Sequence, residues 1–170
     1  MSDLKQLSRK VIDEIEAGEI EDKDDVETRK KQLCSEMSFP GLPKNSDILE
    51  FVEDEEKKAQ KVLLTKPTRT LSGIANVAIM ARPAPCGGGC IYCPKGEDAP
   101  PTRRAIRNQY DPFKQTHDRL GQYEKNGHSI DKSKLIIMGG TFPFQDPDYQ
   151  KEFIKRAFDG LNTYKDKDEI

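Results

Sequence analysis

Apolar residues recur every three or four positions at the start of the chain. Leu4, Leu7, Val11 and Ile15 share one face of a helix. Gly18 lies just past them and fits a C-cap, because glycine enters the left-handed region without a Cβ penalty. A second helix is predicted from near Asp24 through Val26 and Leu33. Phe39-Pro40-Gly41-Leu42-Pro43 then breaks regular structure. Ser46 or Asp47 is expected to cap a third helix through Ile48, Phe51, Val52, Ala59, Val62 and Leu63. Its charged middle, Glu53 to Lys58, reads as a solvated face. Lys66-Pro67 ends this region, so residues 1–66 form a helical segment.

The pattern changes after residue 67. Ile74 to Met80 is short, apolar and β-branched, the signature of a buried strand. Leu135 to Met138 is a second such run, closed by Gly139-Gly140. A helix is predicted between them from about Arg103 to Lys125. Another is predicted from Asp146 to Leu161, with Tyr149, Phe153, Ile154, Ala157 and Phe158 on one face. The charged tail, Lys165 to Ile170, is expected to fray. The order is strand, cysteine loop, helix, strand, glycine turn, helix. Two successive βα units require a parallel sheet and crossover connections, so the fold class is α/β over 67–170, preceded by the helical segment. Two strands cannot close a barrel and leave open edges. The chain is therefore expected to be a piece of something larger, with a partner along that edge.

Composition narrows the function. Hydrophobic and charged residues each make up 34% of the chain, a low apolar share for a compact domain. The net charge of -2 excludes a globally basic nucleic-acid binder. It hides an uneven distribution: residues 1–33 carry seven basic against ten acidic residues. Residues 66–107 carry Lys66, Arg69, Arg82, Lys95, Arg103, Arg104 and Arg107 against only Glu97 and Asp98. No run approaches the roughly 18 apolar residues of a membrane span, and the N-terminus lacks the apolar core of a signal peptide. No membrane partner and a reducing, cytoplasmic setting are expected.

Four cysteines are present, and three of them lie within eight residues as Cys86-Gly-Gly-Gly-Cys90-Ile-Tyr-Cys93. In a chain without an export signal, such a cluster reads as a metal site rather than a disulfide framework. Three thiolates hold three irons of a 4Fe–4S cube and leave the fourth without a protein ligand. The amino and carboxylate groups of S-adenosylmethionine suit that vacant iron, and an electron passed into the sulfonium releases methionine and a 5′-deoxyadenosyl radical. Glycines 87 to 89 let backbone wrap a cluster closely. Tyr92 offers an aromatic face to adenine. Gly139 and Gly140 end the second strand at the same carboxyl rim, where backbone carbonyls can approach the cofactor's amino group. The alternative is zinc, with Cys34, His117 or His128 as fourth ligand. Zinc sites more often use separated cysteine pairs, so the spacing favours iron–sulfur. Cys34, distant in sequence, is assigned no role. His117 and His128 have no carboxylate or nucleophile near them in sequence and read as structural.

These residues resemble the radical S-adenosylmethionine superfamily. More narrowly, they resemble the catalytic subunits of Elongator, the tRNA wobble-uridine carboxymethylation enzymes, in their archaeal form. The matching stretches are Arg69-Thr-Leu-Ser-Gly-Ile-Ala, Pro85-Cys with Cys-Ile-Tyr-Cys-Pro94, Arg104-Ala-Ile-Arg with Asn-Gln-Tyr-Asp-Pro112, Gly127-His-Ser-Ile-Asp-Lys132 and Met138-Gly-Gly-Thr-Phe142. The loops between Cys86 and Cys90 and between Gly96 and Thr102 are shorter than is usual in that family. The resemblance implies the first two βα units of a partial radical-SAM barrel, with the barrel remainder and an acetyltransferase-like domain outside this chain. It implies that the radical abstracts hydrogen from the acetyl-CoA methyl, and that the carbon radical adds to C5 of the wobble uridine. It implies Cys86, Cys90 and Cys93 as cluster ligands and Lys132 as an acetyl-CoA contact; without the family, Lys132 reads as a solvent-facing loop lysine. This chain alone is not expected to complete the reaction.

The resemblance also makes tRNA the expected partner. Residues 1–66 resemble the family's tRNA-contacting extension, with Lys5, Arg9 and Lys10 as its basic face. Around the cysteines, Arg82, Arg103, Arg104 and Arg107 would neutralise phosphates, and Tyr92, Tyr110 and Phe113 would stack on unpaired bases. The competing view makes Arg103, Arg104 and Arg107 one turn of an exposed helix, pairing with Asp111 or Asp118. Two further functions stay open: a zinc-bearing, non-catalytic RNA-binding module, and a radical enzyme acting on another substrate.

Overall fold

The computed structural model describes residues 3–84, 87–89, 91, 102–139 and 142–165. It divides into two compact units, Met1–Ser72 with Tyr123–Ser129, and Gly73–Gln122 with Ile130–Ile170.

The first unit is helical. Helix α1 (Asp3–Ala17) buries Leu7, Val11, Ile12 and Ile15. It stops at Gly18, whose N–H reaches the Ile15 carbonyl and whose φ of +83° turns the Glu19 N–H back onto the Glu14 carbonyl at 2.9 Å. Helix α2 (Lys23–Glu36) starts one residue earlier than expected, because the Asp22 carboxylate accepts the N–H groups of Asp24 and Asp25. The predicted third helix is two short ones, α3 (Asn45–Leu49) and α4 (Lys57–Leu63). Between them, Glu50, Glu53, Asp54, Glu55 and Glu56 place five carboxylates in seven residues, which repel one another at helical spacing. Asp47 is not the cap itself: its carboxylate folds back on the Lys44 N–H at 3.0 Å. Ile20, Val26, Leu33, Ile48, Ala59 and Leu63 complete a closed apolar core.

Polar groups tie the elements of this unit together. The Arg29 guanidinium grips Glu14 with two 2.7 Å bonds. Lys30 is 2% exposed, and its ammonium donates to Glu27, the Pro43 carbonyl and Asn45. All three of its protons are thereby engaged, which is what a buried ammonium requires. His128, also buried, meets the Thr70 hydroxyl through Nδ1 at 2.8 Å and sets its ring edge-on to Tyr123.

The second unit is α/β. Strands β1 (Ala75–Met80) and β2 (Ser133–Met138) pair in parallel, from Ala75 opposite Ser133 to Met80 opposite Met138. Between them lie α5 (Arg103–Arg107) and α6 (Pro112–Lys125); α7 (Pro147–Asn162) follows. The predicted single helix from Arg103 is broken at Asn108–Asp111. There Gln109 and Tyr110 take left-handed backbone, and Asp111 caps the new helix through the N–H groups of Phe113 and Lys114. Val77, Ile79 and Ala81 bury one side of the sheet with Leu120, Phe153 and Ala157. Close approach is built in at Gly160, where a Cβ would stand 3.1 Å from the Phe113 carbonyl.

Alternation leaves the odd residues of β1 bonded to β2 and turns the even ones to the free edge, as Ala75 and Ala81 donating to Lys132 and Met138 show. Side chains of α6 engage part of that edge. Gln115 accepts from the Met80 N–H at 2.9 Å and donates to the Met80 carbonyl at 3.0 Å. Arg119 donates to the Asn76 carbonyl at 3.4 Å. No described helix is long and apolar enough to cross a membrane.

Candidate functional site

The site is built where β1 and β2 end. Buried Gln115 fixes Met80, and the Ala81 N–H carries the ladder one step further to the Met138 carbonyl at 3.0 Å. Gly139 follows with φ +104°. A Cβ there would meet Met80 Cγ at 3.2 Å and the Ala81 carbonyl at 3.3 Å. Glycine is therefore needed twice over, for backbone sign and for contact between the two strand ends. Arg82 leaves β1 held on three sides. Its N–H donates to the Tyr149 hydroxyl at 3.1 Å, its carbonyl accepts from Gln145 at 3.0 Å, and its guanidinium lies 4.2 Å from the Tyr149 ring centroid. The backbone entering the cysteine segment is thus anchored to α7 and to the turn before it.

Cys86, Cys90, Cys93, Tyr92 and Gly140 lie outside the described residues. Among the described residues, no group of three or more His, Cys, Asp or Glu is placed to hold a metal ion. Cys34 is a free thiol packed against the first unit's core. His117 is stacked on Phe113 at 4.3 Å and edge-on to Tyr164 at 5.2 Å, and burial holds its pKa below the ordinary value. The Phe113 ring, expected to stack on a base, is stacked on this histidine.

The predicted basic residues separate into engaged and exposed. Arg9 pairs with Glu56 at 2.7 Å and with Asp13 at 2.9 Å, and reaches the Phe51 carbonyl at 3.3 Å. The hydrogen bond from Arg9 also holds the Glu56 carboxyl below its usual range. Arg9 therefore braces the α3–α4 loop, while Lys5 and Lys10 remain exposed. Arg104 and Arg107 both turn to Asp118, and Arg104 also bonds Gln122 at 2.8 Å. Arg103 and Arg82 are exposed. Lys132 is exposed at the amino end of β2, with its carbonyl accepting the Ala75 N–H at 2.8 Å. Six strand residues, about 20 Å of chain, separate it from the Gly139 rim.

Gln115, Tyr149 and Arg156 belong to no sequence motif that marks them as site residues. In the sequence Tyr149 reads as part of an apolar helix face. Gln115 had a signal of its own, a polar residue at a core-facing position of a predicted helix.

Comparison with known proteins follows the same division. Residues 4–71 match the ELP3 N-terminal domain, nearly the whole first segment of the helical unit. The chain is 39% identical over 181 residues to a tRNA uridine(34) acetyltransferase of Methanocaldococcus infernus, covering 96% of this chain and 34% of that protein. The corresponding protein of Methanocaldococcus jannaschii is 39% identical over 94% of this chain and 32% of its own length. Human Elongator complex protein 3 is 36% identical over 88% of this chain and 31% of its own length. The chain spans about a third of the length of the curated relatives it matches.

Proposed function

The chain belongs to the family of Elongator complex protein 3 and the tRNA uridine(34) acetyltransferases, and from that premise we propose that it supplies the RNA-binding helices and the cofactor-cleaving part of an enzyme that carboxymethylates C5 of the tRNA wobble uridine. The observation carrying this reading is the rim. Two parallel strands end together, clamped by Gln115 and closed by Gly139, and the Cys-x3-Cys-x2-Cys segment departs from one of them. Ligands of parallel α/β sheets bind beyond such carboxyl ends.

Three thiols close in sequence suit a 4Fe–4S cluster with one iron left for S-adenosylmethionine, so Cys86, Cys90 and Cys93 would hold it. When bound, that cluster supplies the electron that cleaves the sulfonium to methionine and a 5′-deoxyadenosyl radical. The chain's own part is placement. Gln115 and Tyr149 fix the backbone from which the cysteines depart, and Gly139 keeps side-chain bulk away from the strand ends. In the same reading Tyr92 and Gly140 join Gly139 around S-adenosylmethionine. Acetyl-CoA is the co-substrate, and Lys132 meets its phosphates rather than the reacting carbon, since it stands at the other end of β2. Arg82, Arg103, Lys5 and Lys10 contribute phosphate contacts. Gln115 and Arg119 engage part of the β1 edge, and the remainder of such an enzyme, or another subunit, adds strands beside β2.

Anaerobic reconstitution with iron and sulfide tests the reading. The chain should gain the optical signature of a 4Fe–4S cluster, and Cys90→Ser should abolish it. Colourless protein carrying one zinc per chain would sink the proposal and leave a zinc-bearing RNA-binding module. A normal cluster without tRNA binding would point to another substrate.

A further inference from the structure

The junction of α5 and α6 carries strain that the cysteine segment does not require. Gln109 and Tyr110 stand at φ +53° and +58°, a region costly for residues with a Cβ. Consecutive strained residues of this kind concentrate at functional sites. Both line a cavity of about 600 Å³ in the second unit, together with Arg82, Tyr149, Glu152 and Arg156.

Its chemistry is specific. Tyr110 and the Arg82–Tyr149 stack give flat, polarisable walls, and arginine planes and tyrosine rings are the surfaces on which unpaired bases stack. Asp111 has both oxygens engaged. Oδ1 caps α6, and Oδ2 accepts from Arg156 at 2.6 Å. That bond orients Arg156 at the cavity wall through one amino group, and a guanidinium has five donors. Glu152 adds an acceptor for an amino or hydroxyl group. Guanidinium and carboxylate charges balance, which disfavours a bare anion and favours a ligand with a flat ring, donors and one phosphate. Arg82, four residues before Cys86, ties this wall to the cysteine segment.

We propose that this cavity holds one unpaired nucleotide of the bound RNA. Its base lies against Tyr110 and the Arg82–Tyr149 stack, its phosphate meets Arg156, and Glu152 accepts from a base or ribose donor. The proposal rests on the tRNA reading above and adds where an extruded nucleotide is gripped.

The test titrates the full chain with a fluorescently labelled anticodon stem-loop RNA. Tyr110→Asn removes the ring but keeps a residue that tolerates left-handed backbone. Arg156→Gln removes the charge. Each should weaken binding about tenfold with the melting temperature of Tyr110→Asn retained. Crosslinks from 4-thiouridine RNA should map to the peptides of Tyr110 and Tyr149. Normal binding by both folded variants overturns this inference alone. A parent chain that binds no RNA overturns it together with the tRNA reading. Displacement of the RNA by free nucleoside monophosphate shows a small-molecule site and overturns it as well. Cluster reconstitution on the same variants is unaffected in every case, which separates failure here from failure of the cofactor reading.

Discussion

The two units differ in how they treat charge and surface. In the first, several charged side chains are buried or bridge separate elements. Lys30 satisfies three acceptors from a nearly sealed position, Arg29 clamps Glu14, and Arg9 holds the loop between two short helices. Its core is surrounded by helices on the residues described. In the second, the sheet is covered on the side of Val77 and Ile79, while Asn76, Lys134 and Ile136 remain exposed on the other. Strained backbone lines its cavity, and arginines stack on tyrosine or sit among glutamines. The first unit closes its core with helices, and the second leaves one sheet face exposed beside a cavity walled by planar groups.

Substitutions can break this contrast. Lys30→Ala should have the largest effect, about 3 kcal/mol, because it leaves buried acceptors without a donor. Urea unfolding should show the first unit's transition moving while cluster reconstitution in the second is retained. Gln115→Leu should cost the second unit about 2 kcal/mol, through two lost bonds and two unsatisfied groups on Met80. Here cluster content should fall along with stability, since the anchor of the cysteine segment loosens. Gly139→Ala should cost about 1 kcal/mol or more from its positive φ and the Met80 contact, read as a lower melting temperature.

The smallest effect is a pH difference. Burial lowers the pKa of His117 from its ordinary 6.5, so the unfolded chain binds the proton more readily. The second unit should keep this contribution above pH 6.5 and lose it progressively as pH falls below that value. Glu56 behaves likewise at a more acid position. Its carboxyl sits below the ordinary 4.5 because of Arg9, so the first unit keeps that contribution above 4.5 and loses it on further acidification. Melting followed at tryptophan-free, tyrosine-weighted wavelengths should show the second unit softening first. His117→Phe should flatten the slope near 6.5, and an unchanged slope in that variant would remove His117 as its source.

Local pattern carried the elements well. The two strands emerged within a residue or two of Ala75–Met80 and Ser133–Met138, because short β-branched runs between turn residues have few other readings. Helix α7 emerged with its Asp146 cap. Two helix breaks did not. One follows from repulsion summed over five carboxylates, which no single residue announces. The other had a local sign in Asp111-Pro112, since the residue before proline avoids helical backbone and proline favours a first turn. The site divides the same way. Cysteine spacing is a short-range feature, visible in eight residues. The partners that anchor the segment lie 35 residues away at Gln115 and 67 away at Tyr149, distances at which pairing is decided by packing. The acidic partner of Arg9 is likewise 47 positions distant and invisible to local pattern.

The α6 side chains along β1 also limit how copies of this chain can associate. A filament of strands needs a free edge on both sides of every molecule, each edge carrying its own N–H donors and C=O acceptors. With both backbone groups of Met80 and the Asn76 carbonyl occupied, the β1 edge offers a shorter ladder to a neighbour than its full length would. Removing the Gln115 amide would free both backbone groups of Met80 and make that edge more open to a neighbouring strand.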